Sequence, residues 1–158
     1  MRRGGRRPAR ALGAVLGVLR EAGDARGTAP APTLATDLDG LLRRTRAGGL
    51  RVRATVGVDP AELPPLVSRE AYRIVQEALS NALRHGGDGA PVTLRVALAG
   101  PGLTVTAENP LPGRSPAART GGGHGLRGIT DRARLLGGTA EAGPAGDVWR
   151  LTVRLPLT

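Results

Sequence analysis

The sequence contains no cysteine, no phenylalanine and no lysine, and its 158 residues include one tryptophan and one tyrosine. Without cysteine the chain can form neither a disulfide nor a thiolate metal site. Aromatic residues make up 1% and hydrophobic residues 40%, so a core has to be built from leucine, valine, isoleucine and alanine. This length suits a single domain with one sizeable core.

Long apolar runs are also missing. A membrane-spanning helix needs roughly 20 consecutive apolar residues, and the apolar stretch at residues 12–19 is too short. The basic start of the chain is not followed by an adequate apolar segment with a small-residue cleavage site, so no signal peptide is indicated. We therefore expect no membrane span in this chain and a cytoplasmic location.

Acidic residues are few relative to basic ones, and the formal net charge is +10. Such a charge can indicate nucleic-acid binding, and the cluster at residues 2–10 supports it. However, every basic residue is arginine, in a chain rich in alanine, glycine and proline, which is typical of a coding bias. There is no helix-turn-helix pattern and no aromatic set for stacking on bases. We expect no direct nucleic-acid partner.

Composition divides the chain into three segments. Residues 1–10 are rich in arginine and glycine and are expected to be a disordered basic tail. Residues 11–22 place apolar side chains at helical spacing, and residues 23–32 have the proline and glycine content of a linker. A folded domain is expected over residues 33–158.

Apolar periodicity within that domain predicts alternating helices and strands. Thr33 or Thr36 caps the first helix, and the glycine pairs 48–49 and 137–138 end the first and last helices. A hairpin turn is expected at residues 100–102. The predicted helices lie at residues 33–47 and 129–136, and a central helix, which contains residues 70–85, starts from a turn at residues 59–65. The predicted strands lie at residues 50–58, 92–98, 103–107, 139–142 and 148–155. We predict an α+β fold, a two-layer sandwich in which helices cover one face of a mixed sheet of about five strands.

The helix at residues 70–85 carries two stripes. One stripe is apolar and is formed by Ala71, Ile74, Val75, Ala78, Leu79, Ala82 and Leu83. The other contains Glu77, Asn81 and His85, spaced four apart so that they stack on one face. A solvated helix face would account for this second stripe. A site that holds a metal ion and a negatively charged group would account for it as well, and the stripe alone leaves both open.

Two downstream features favour a binding site. The glycine run at residues 121–128 leads into the predicted helix at 129–136, and glycines together with a helix N-terminus suit phosphate binding. In a chain with 25 glycines this signal is weak by itself. The sequence Glu108-Asn109-Pro110 follows a predicted strand, with Gly113 shortly after it. The order of these parts is more specific than any one of them.

This order resembles the ATP-binding domain of sensor histidine kinases, in the GHKL or Bergerat-fold ATPase superfamily. The residues Glu77, Asn81 and His85 are similar to the N box of the family. The glycine run, with Gly123-x-Gly125-Leu126-x-Gly128, is similar to its second glycine box. Neighbouring phrases such as YRIVQEALSNALRH and WRLTVRLPL are most similar to the nitrate-sensor type, and the resemblance covers residues 34–157.

The resemblance implies ATP and Mg²⁺ as cofactors. Asn81 would be the Mg²⁺ ligand, and Glu77 would be catalytic, either by positioning the water shell of the metal or by helping to deprotonate a target histidine. Arg84 and His85 would lie near the phosphates, although His85 could be a plain surface residue. For His124 the backbone N–H is expected to matter more than the ring. The further nucleotide-binding positions would be Asn109, Gly113, Gly123, His124, Gly125, Leu126 and Gly128, and the glycines are also expected to permit helix contact.

The first glycine box departs from the family pattern of Asp-x-Gly-x-Gly. By strand register Asn109 takes the position of the aspartate that accepts a hydrogen bond from adenine, and Leu111 stands where the first glycine is usual. Asparagine keeps a carbonyl acceptor. Glu108 could serve instead if the register shifts by one residue. Residues 111–123 take the position of the family's mobile lid over the nucleotide.

The chain has two histidines, His85 and His124, and both fall in the predicted nucleotide site. We therefore expect an ATP domain that transfers the γ-phosphoryl group to a histidine outside this chain. Residues 11–22 would be a remnant of a dimerisation helix or a helix docked on the core. Expected partners are a response regulator and a dimerisation and phosphoacceptor region in cis or in trans, with a homodimer possible. The alternatives are a nucleotide-binding pseudokinase and a protein-serine kinase of the anti-sigma type.

Overall fold

The computed structural model describes residues 29–85, 89–111 and 123–158, with residues 123 and 124 described by their backbone. The predicted tail, the helix at 11–22, most of the linker, most of the predicted lid and Gly113 lie outside the described residues. The helices are α1 (Leu34–Ala47), α2 (Pro65–His85) and α3 (Gly123–Leu135), with a 3₁₀ turn at Pro60–Glu62. The strands are β1 (Arg51–Val56), β2 (Pro91–Ala99), β3 (Gly102–Pro110), β4 (Thr139–Ala145) and β5 (Val148–Pro156).

The five strands form one mixed sheet in the order β1-β2-β3-β5-β4. Strand β1 runs parallel to β2, and the three other pairings are antiparallel. A parallel pair needs a long crossover, and the segment that contains α2 provides it. This confirms the predicted α+β fold with a mixed sheet of five strands.

One face of the sheet is buried under the helices. Val96, Val105 and Val153 form a row across β2, β3 and β5, and each is 0% exposed. The residues that alternate with them are mainly threonines and arginines on the opposite face, as the two-residue period of strands requires. The three described helices therefore lie on the same face of the sheet, as predicted.

Helix α2 is the centre of the core. All seven apolar residues of its predicted stripe are buried, with Ile74, Val75 and Leu79 at 0% exposure. Burial of one such side chain stabilises the fold by about 1.5–3 kcal/mol. Tyr72 is the only aromatic residue among the buried residues of the described chain, so the core is aliphatic, as the composition requires.

The predicted ends of α1 and α3 are confirmed. Thr33 caps α1, because its side chain accepts a hydrogen bond from the backbone N–H of Thr36 at 3.2 Å. Helix α3 ends at Leu135, just before Gly137, which has φ +75°, and the N–H of Gly138 donates to the carbonyl of Ala133 at 2.8 Å. A Cβ atom on Gly138 would overlap the carbonyl oxygen of Arg154, so only glycine fits this entry to β4.

Helix α2 begins at Pro65, at the end of the predicted turn over residues 59–65, and proline suits a first helical turn because its missing N–H is not needed there. The predicted start of the last helix is wrong. Helix α3 begins at Gly123 rather than at Ile129, so the run from Gly123 to Gly128 is the start of a helix and not a loop. Glycine disfavours helix by about 1 kcal/mol relative to alanine, so tertiary contacts must override this local preference. In the described part of the chain, no helix is both long and apolar enough to cross a bilayer.

Candidate functional site

Three polar side chains on the last turns of α2 form a cluster. The Nη2 atom of Arg84 donates hydrogen bonds to Oδ1 of Asn81 at 2.7 Å and to Oε1 of Glu77 at 3.1 Å. The side chains of Arg84 and Glu77 are 29% and 37% exposed, so the cluster is open to solvent on one side. Positions 77, 81 and 84 share one helix face because side chains three and four residues apart are neighbours. The predicted stripe is therefore a connected group, in which Arg84 rather than His85 completes the contacts.

The N-terminal turn of α3 packs directly against this cluster. A Cβ atom on Gly125 would overlap Oδ1 of Asn81 and would lie 2.8 Å from Oε1 of Glu77 and 3.0 Å from Nη2 of Arg84. The two separations from oxygen atoms are below 3.0 Å, which real Cβ atoms essentially never show, so the side chains of Asn81 and Glu77 would have to shift. Glycine at position 125 lets the backbone of α3 approach these oxygen atoms without displacing them.

An ion pair holds the other ends of the two helices together. Arg132 Nη1 of α3 lies 3.0 Å from Oε2 of Glu70, whose side chain is 12% exposed, and Arg69 Nε lies 3.4 Å from Oε1 of the same carboxylate. Gly125 meets α2 near Asn81, whereas Arg132 meets it near Glu70, so the helices run antiparallel. Sequence reasoning missed this pair, because an acidic and a basic residue far apart in the chain give no local signal. We infer that it fixes how α3 presents its first turn to Glu77 and Asn81.

The chemistry of the cluster suits a divalent cation beside an anion. The backbone N–H groups in the first turn of a helix have no partner within the helix, and together with the positive end of the helix dipole they favour phosphate at the start of α3. Asn81 and Glu77 supply oxygen atoms at the same place. Within the described ranges, no group of three His, Asp or Glu side chains could hold a metal ion. Mg²⁺ takes few ligands from the protein and the rest from phosphates and water, so the oxygen atoms of Asn81 and Glu77 suit it.

His85 is the last residue of α2 and is half-buried. Burial lowers the pKa of His85 below its ordinary value of 6.5, and the neighbouring Arg84 guanidinium lowers it further. Its Nε2 atom is buried and has no hydrogen-bond partner in the described part of the structure. The imidazole is therefore held toward its neutral form.

Asn109 lies on the helix-facing side of β3 and is 8% exposed. Its Nδ2 group donates to the carbonyl of Pro110 at 3.3 Å, which leaves Oδ1 as the acceptor of the side chain. Glu108 points to the opposite face, where its Oε1 atom accepts from Nε of Arg150 at 2.7 Å. The observed register therefore places Asn109, and not Glu108, on the side of the predicted nucleotide site.

Trp149 was not singled out by the sequence reasoning. It pairs with Asn109 across β3 and β5, and directly paired residues share a face of the sheet. It is half-buried, unlike the fully buried Leu151 further along β5. The alternation of β3 and β5 could have identified it, had their pairing register been known.

The remaining predicted residues fall into different environments. Gly123 and His124 lie in the first turn of α3. Leu126 is partly buried and packs against the core. A Cβ atom on Gly128 would meet nothing within 4 Å, so the expected helix contact comes from Gly125 and not from Gly128. Any role of these residues in nucleotide binding remains a prediction.

The architecture is that of histidine kinase catalytic domains. The chain superimposes on the histidine kinase domain of the blue-light activated histidine kinase of Erythrobacter litoralis EL346 with a TM-score of 0.61 and 20% identity, covering 97% of this chain and 76% of that one. For a longer chain of the same kinase the TM-score is 0.62 at 21% identity, with 94% of this chain and 53% of that chain covered.

A mycobacterial sensor histidine kinase, MprB, gives a TM-score of 0.57 at 20% identity, with 79% of this chain and 96% of that chain covered. No family model and no curated protein matches the sequence. Similarity at this level of identity establishes the fold of the histidine kinase ATPase domain. The assignment to the nitrate-sensor type remains a prediction.

Proposed function

We propose that this chain is the ATP-binding catalytic domain of a two-component sensor histidine kinase. In this proposal it transfers the γ-phosphoryl group of Mg-ATP to a histidine that is not part of the chain. The observation that carries the proposal is the contact at Gly125, where the first turn of α3 comes so close to an amide and a carboxylate oxygen of α2 that a larger residue would displace them. This contact brings the backbone N–H groups of a helix N-terminus beside two oxygen atoms that suit Mg²⁺.

Two residues of the cluster, Asn81 and Glu77, have assigned roles in this proposal. Asn81 Oδ1 is the protein ligand of Mg²⁺, and Glu77 orders the water around the metal or assists removal of the proton from the acceptor histidine. When bound, Mg²⁺ would offset the negative charge of the phosphates and hold them in a fixed geometry. The backbone N–H groups at the start of α3, from Gly123 to Gly125, would bind phosphate oxygens.

Recognition of the base would fall to the sheet. Asn109 Oδ1 would accept a hydrogen bond from the adenine amino group, as a neutral replacement for the aspartate of related kinases. Trp149 lies beside it and offers an apolar ring edge or face to the base. A neutral acceptor hydrogen-bonds less strongly than a charged one, so we expect weaker adenine binding than an aspartate would give.

The acceptor has to come from elsewhere. The only histidines, His85 and His124, lie at the end of α2 and in the first turn of α3, next to the proposed phosphate site. Phosphoryl transfer depends on an in-line arrangement of donor and acceptor, which residues that flank the bound phosphates do not provide. We propose that a dimerisation region with a phosphoacceptor histidine supplies it, in cis or in trans, and that a response regulator in the cytoplasm receives the group.

Thermal melting tests the nucleotide site. Mg-ATP at about 100 times its Kd stabilises a folded protein by about 2.7 kcal/mol, which corresponds to a rise in Tm of roughly 5–10 °C for a chain of this size. We expect this rise with ATP and Mg²⁺ together and a smaller one with ATP in EDTA. No rise at millimolar Mg-ATP would contradict the proposed function, although not the fold.

Transfer is tested with labelled ATP. The chain alone should not become labelled on histidine, and a dimerisation hairpin with a histidine, fused upstream or added as a separate chain, should become labelled. Glu77→Ala should abolish that labelling and retain much of the ATP binding. ATP binding without any transfer would favour the pseudokinase, for which the substitution of the family aspartate by Asn109 is the supporting observation. Acid-stable label on serine of a partner would favour the serine kinase.

A further inference from the structure

Arg84 donates a hydrogen bond to Oδ1 of Asn81, the oxygen atom that the proposed metal ion would need as a ligand. Its Nη2 atom is 2.7 Å from Oδ1 of Asn81 and 3.1 Å from Oε1 of Glu77. A Cβ atom on Gly125 would lie 3.0 Å from the same Nη2 atom, so the guanidinium lies beside the first turn of α3. A single cationic group thus binds the two oxygen atoms that line this part of the site.

A guanidinium and a metal ion cannot share these oxygen atoms without cost. Mg²⁺ approaches its oxygen ligands to about 2.0–2.1 Å, and the Asn81 side chain offers a single oxygen. A cation bound there would lie a few ångströms from the Arg84 guanidinium, in a partly enclosed site where like charges repel more strongly than in water. Arg84 therefore has to leave Asn81 before a metal ion binds there.

We propose that Arg84 is a resident cation of the metal site. In the nucleotide-free protein it holds the oxygen atoms of Asn81 and Glu77, and it releases them when nucleotide phosphates provide a better partner. This inference rests on the proposed Mg-ATP function and adds to it a coupling between metal and nucleotide. Metal binding requires the departure of Arg84, and phosphates favour that departure, so each ligand strengthens the binding of the other. The coupling must be equal in both directions.

The position of Arg84 allows such an exchange. It lies in the last turn of α2, where a cation is also favoured by the helix dipole, and its side chain is partly exposed at 29%. A long side chain at a helix end can change rotamer without disturbing the backbone. The planar fork of arginine can bind either two protein oxygens or a phosphate group.

The test uses Mn²⁺ as the probe and Arg84→Met as the variant, which keeps a long apolar stem but removes the charge. Free Mn²⁺ is measured by electron paramagnetic resonance while the nucleotide-free chain is titrated, and the titration is repeated at saturating ATP. We expect Arg84→Met to bind Mn²⁺ about tenfold more tightly without nucleotide, within the usual range of coupling between two sites. The factor by which ATP strengthens Mn²⁺ binding should fall in the variant.

Arg43→Met is the matched control. Arg43 is an exposed residue of α1, so its replacement removes the same charge from a different surface. Because exposed charges are screened at physiological salt, Mn²⁺ binding should change by roughly twofold at most. This control separates the local effect of Arg84 from a change in net charge.

The possible outcomes are distinct. Unchanged or weaker Mn²⁺ binding by Arg84→Met without nucleotide would overturn the proposal, and weaker ATP binding in EDTA would then identify Arg84 as a phosphate ligand only. Tighter Mn²⁺ binding with a reduced effect of ATP would support it. If neither the parent chain nor the variant binds Mn-ATP, the proposed function fails and this inference fails with it.

Discussion

Gly125→Ala is the substitution for which the structure gives the most specific expectation. In an exposed helix, alanine is favoured over glycine by about 0.5–1 kcal/mol. At Gly125 the added methyl group would instead overlap Asn81 Oδ1 and lie 2.8 Å from Glu77 Oε1. The same exchange that stabilises an ordinary helix is therefore expected to displace the candidate site.

The effects on stability and on binding should differ in size. Overpacking costs about 1–3 kcal/mol, and the low end applies here because the atoms in the way are the ends of flexible side chains. The gain in helix propensity offsets much of this cost, so we expect a net change within about 1 kcal/mol and a Tm shift within about 4 °C. The oxygen atoms, however, have to move by a fraction of an ångström or more. We expect a loss of at least about tenfold in Mg-ATP affinity, or 1.4 kcal/mol.

Calorimetry of Mg-ATP binding and thermal melting measure these two quantities on the same samples. Gly40→Ala is the matched control, since Gly40 lies inside α1 and an added Cβ would meet the flexible Arg44 side chain at 3.1 Å. This control should raise Tm slightly and leave Mg-ATP affinity unchanged. Gly128→Ala lies in the same helix as Gly125 but in open space, so it should also raise Tm. Its effect on affinity shows separately whether phosphate approaches position 128.

Gly125→Ala should not behave like Gly40→Ala, and equal behaviour of the two variants would contradict the proposed contact. A higher Tm with unchanged Mg-ATP affinity would mean that, in solution, the first turn of α3 does not contact the Asn81 and Glu77 side chains of α2. A large loss of stability without a binding defect would place the contact in the core rather than in a site.

Three further predictions concern single residues of the site and its support. Asn81→Ala should abolish the Mg²⁺ dependence of ATP binding, whereas Asn81→Asp should retain metal binding and weaken ATP through added negative charge; calorimetry with and without Mg²⁺ distinguishes them. Glu70→Gln should lower the free energy of unfolding, measured by urea denaturation, by about 1–2 kcal/mol, which lies between the values for exposed and buried ion pairs. Glu141→Gln removes one partner of an exposed pair at 3.8 Å and should change the free energy of unfolding little. The pKa of His85 is lowered in the folded protein, so the folded state binds fewer protons than the unfolded state near pH 6. Stability should therefore fall as the pH drops below about 6.5. The Tm of His85→Gln should decrease less than that of the parent chain when the pH is lowered from about 7.5 to about 5.5.

Much of the architecture follows from local pattern. The seven apolar positions of α2 are all buried, and the alternation in β2, β3 and β5 identifies the face of the sheet that meets the helices. Both are consequences of the 3.6- and 2-residue periods, which do not depend on distant residues. Thr33 as a cap and Gly137 as a helix end were predictable for the same reason, since each satisfies a local backbone requirement.

The features that local pattern could not give are those that depend on tertiary contact. The glycines at the start of α3 have low helix propensity, so the sequence predicts a loop there. The structure instead has a helix at these residues, and this helix packs against α2. The pair Glu70–Arg132 joins residues 62 positions apart. Strand β3 continues through Asn109 because β5 pairs with it along that length, and Trp149 becomes its neighbour by that pairing. The position of Arg84 over Asn81 is likewise visible only in three dimensions.

We propose that a metal-bound nucleotide lies between the end of α2 and the start of α3. Paramagnetic broadening of backbone amide resonances by Mn-ATP locates the metal directly, because the effect falls steeply with distance. We expect the strongest broadening around Asn81 and Gly125, with little at Gly40 in α1. Asn81→Ala should remove this pattern. Broadening centred on another part of the chain, or the same pattern in Asn81→Ala, would contradict this position of the metal.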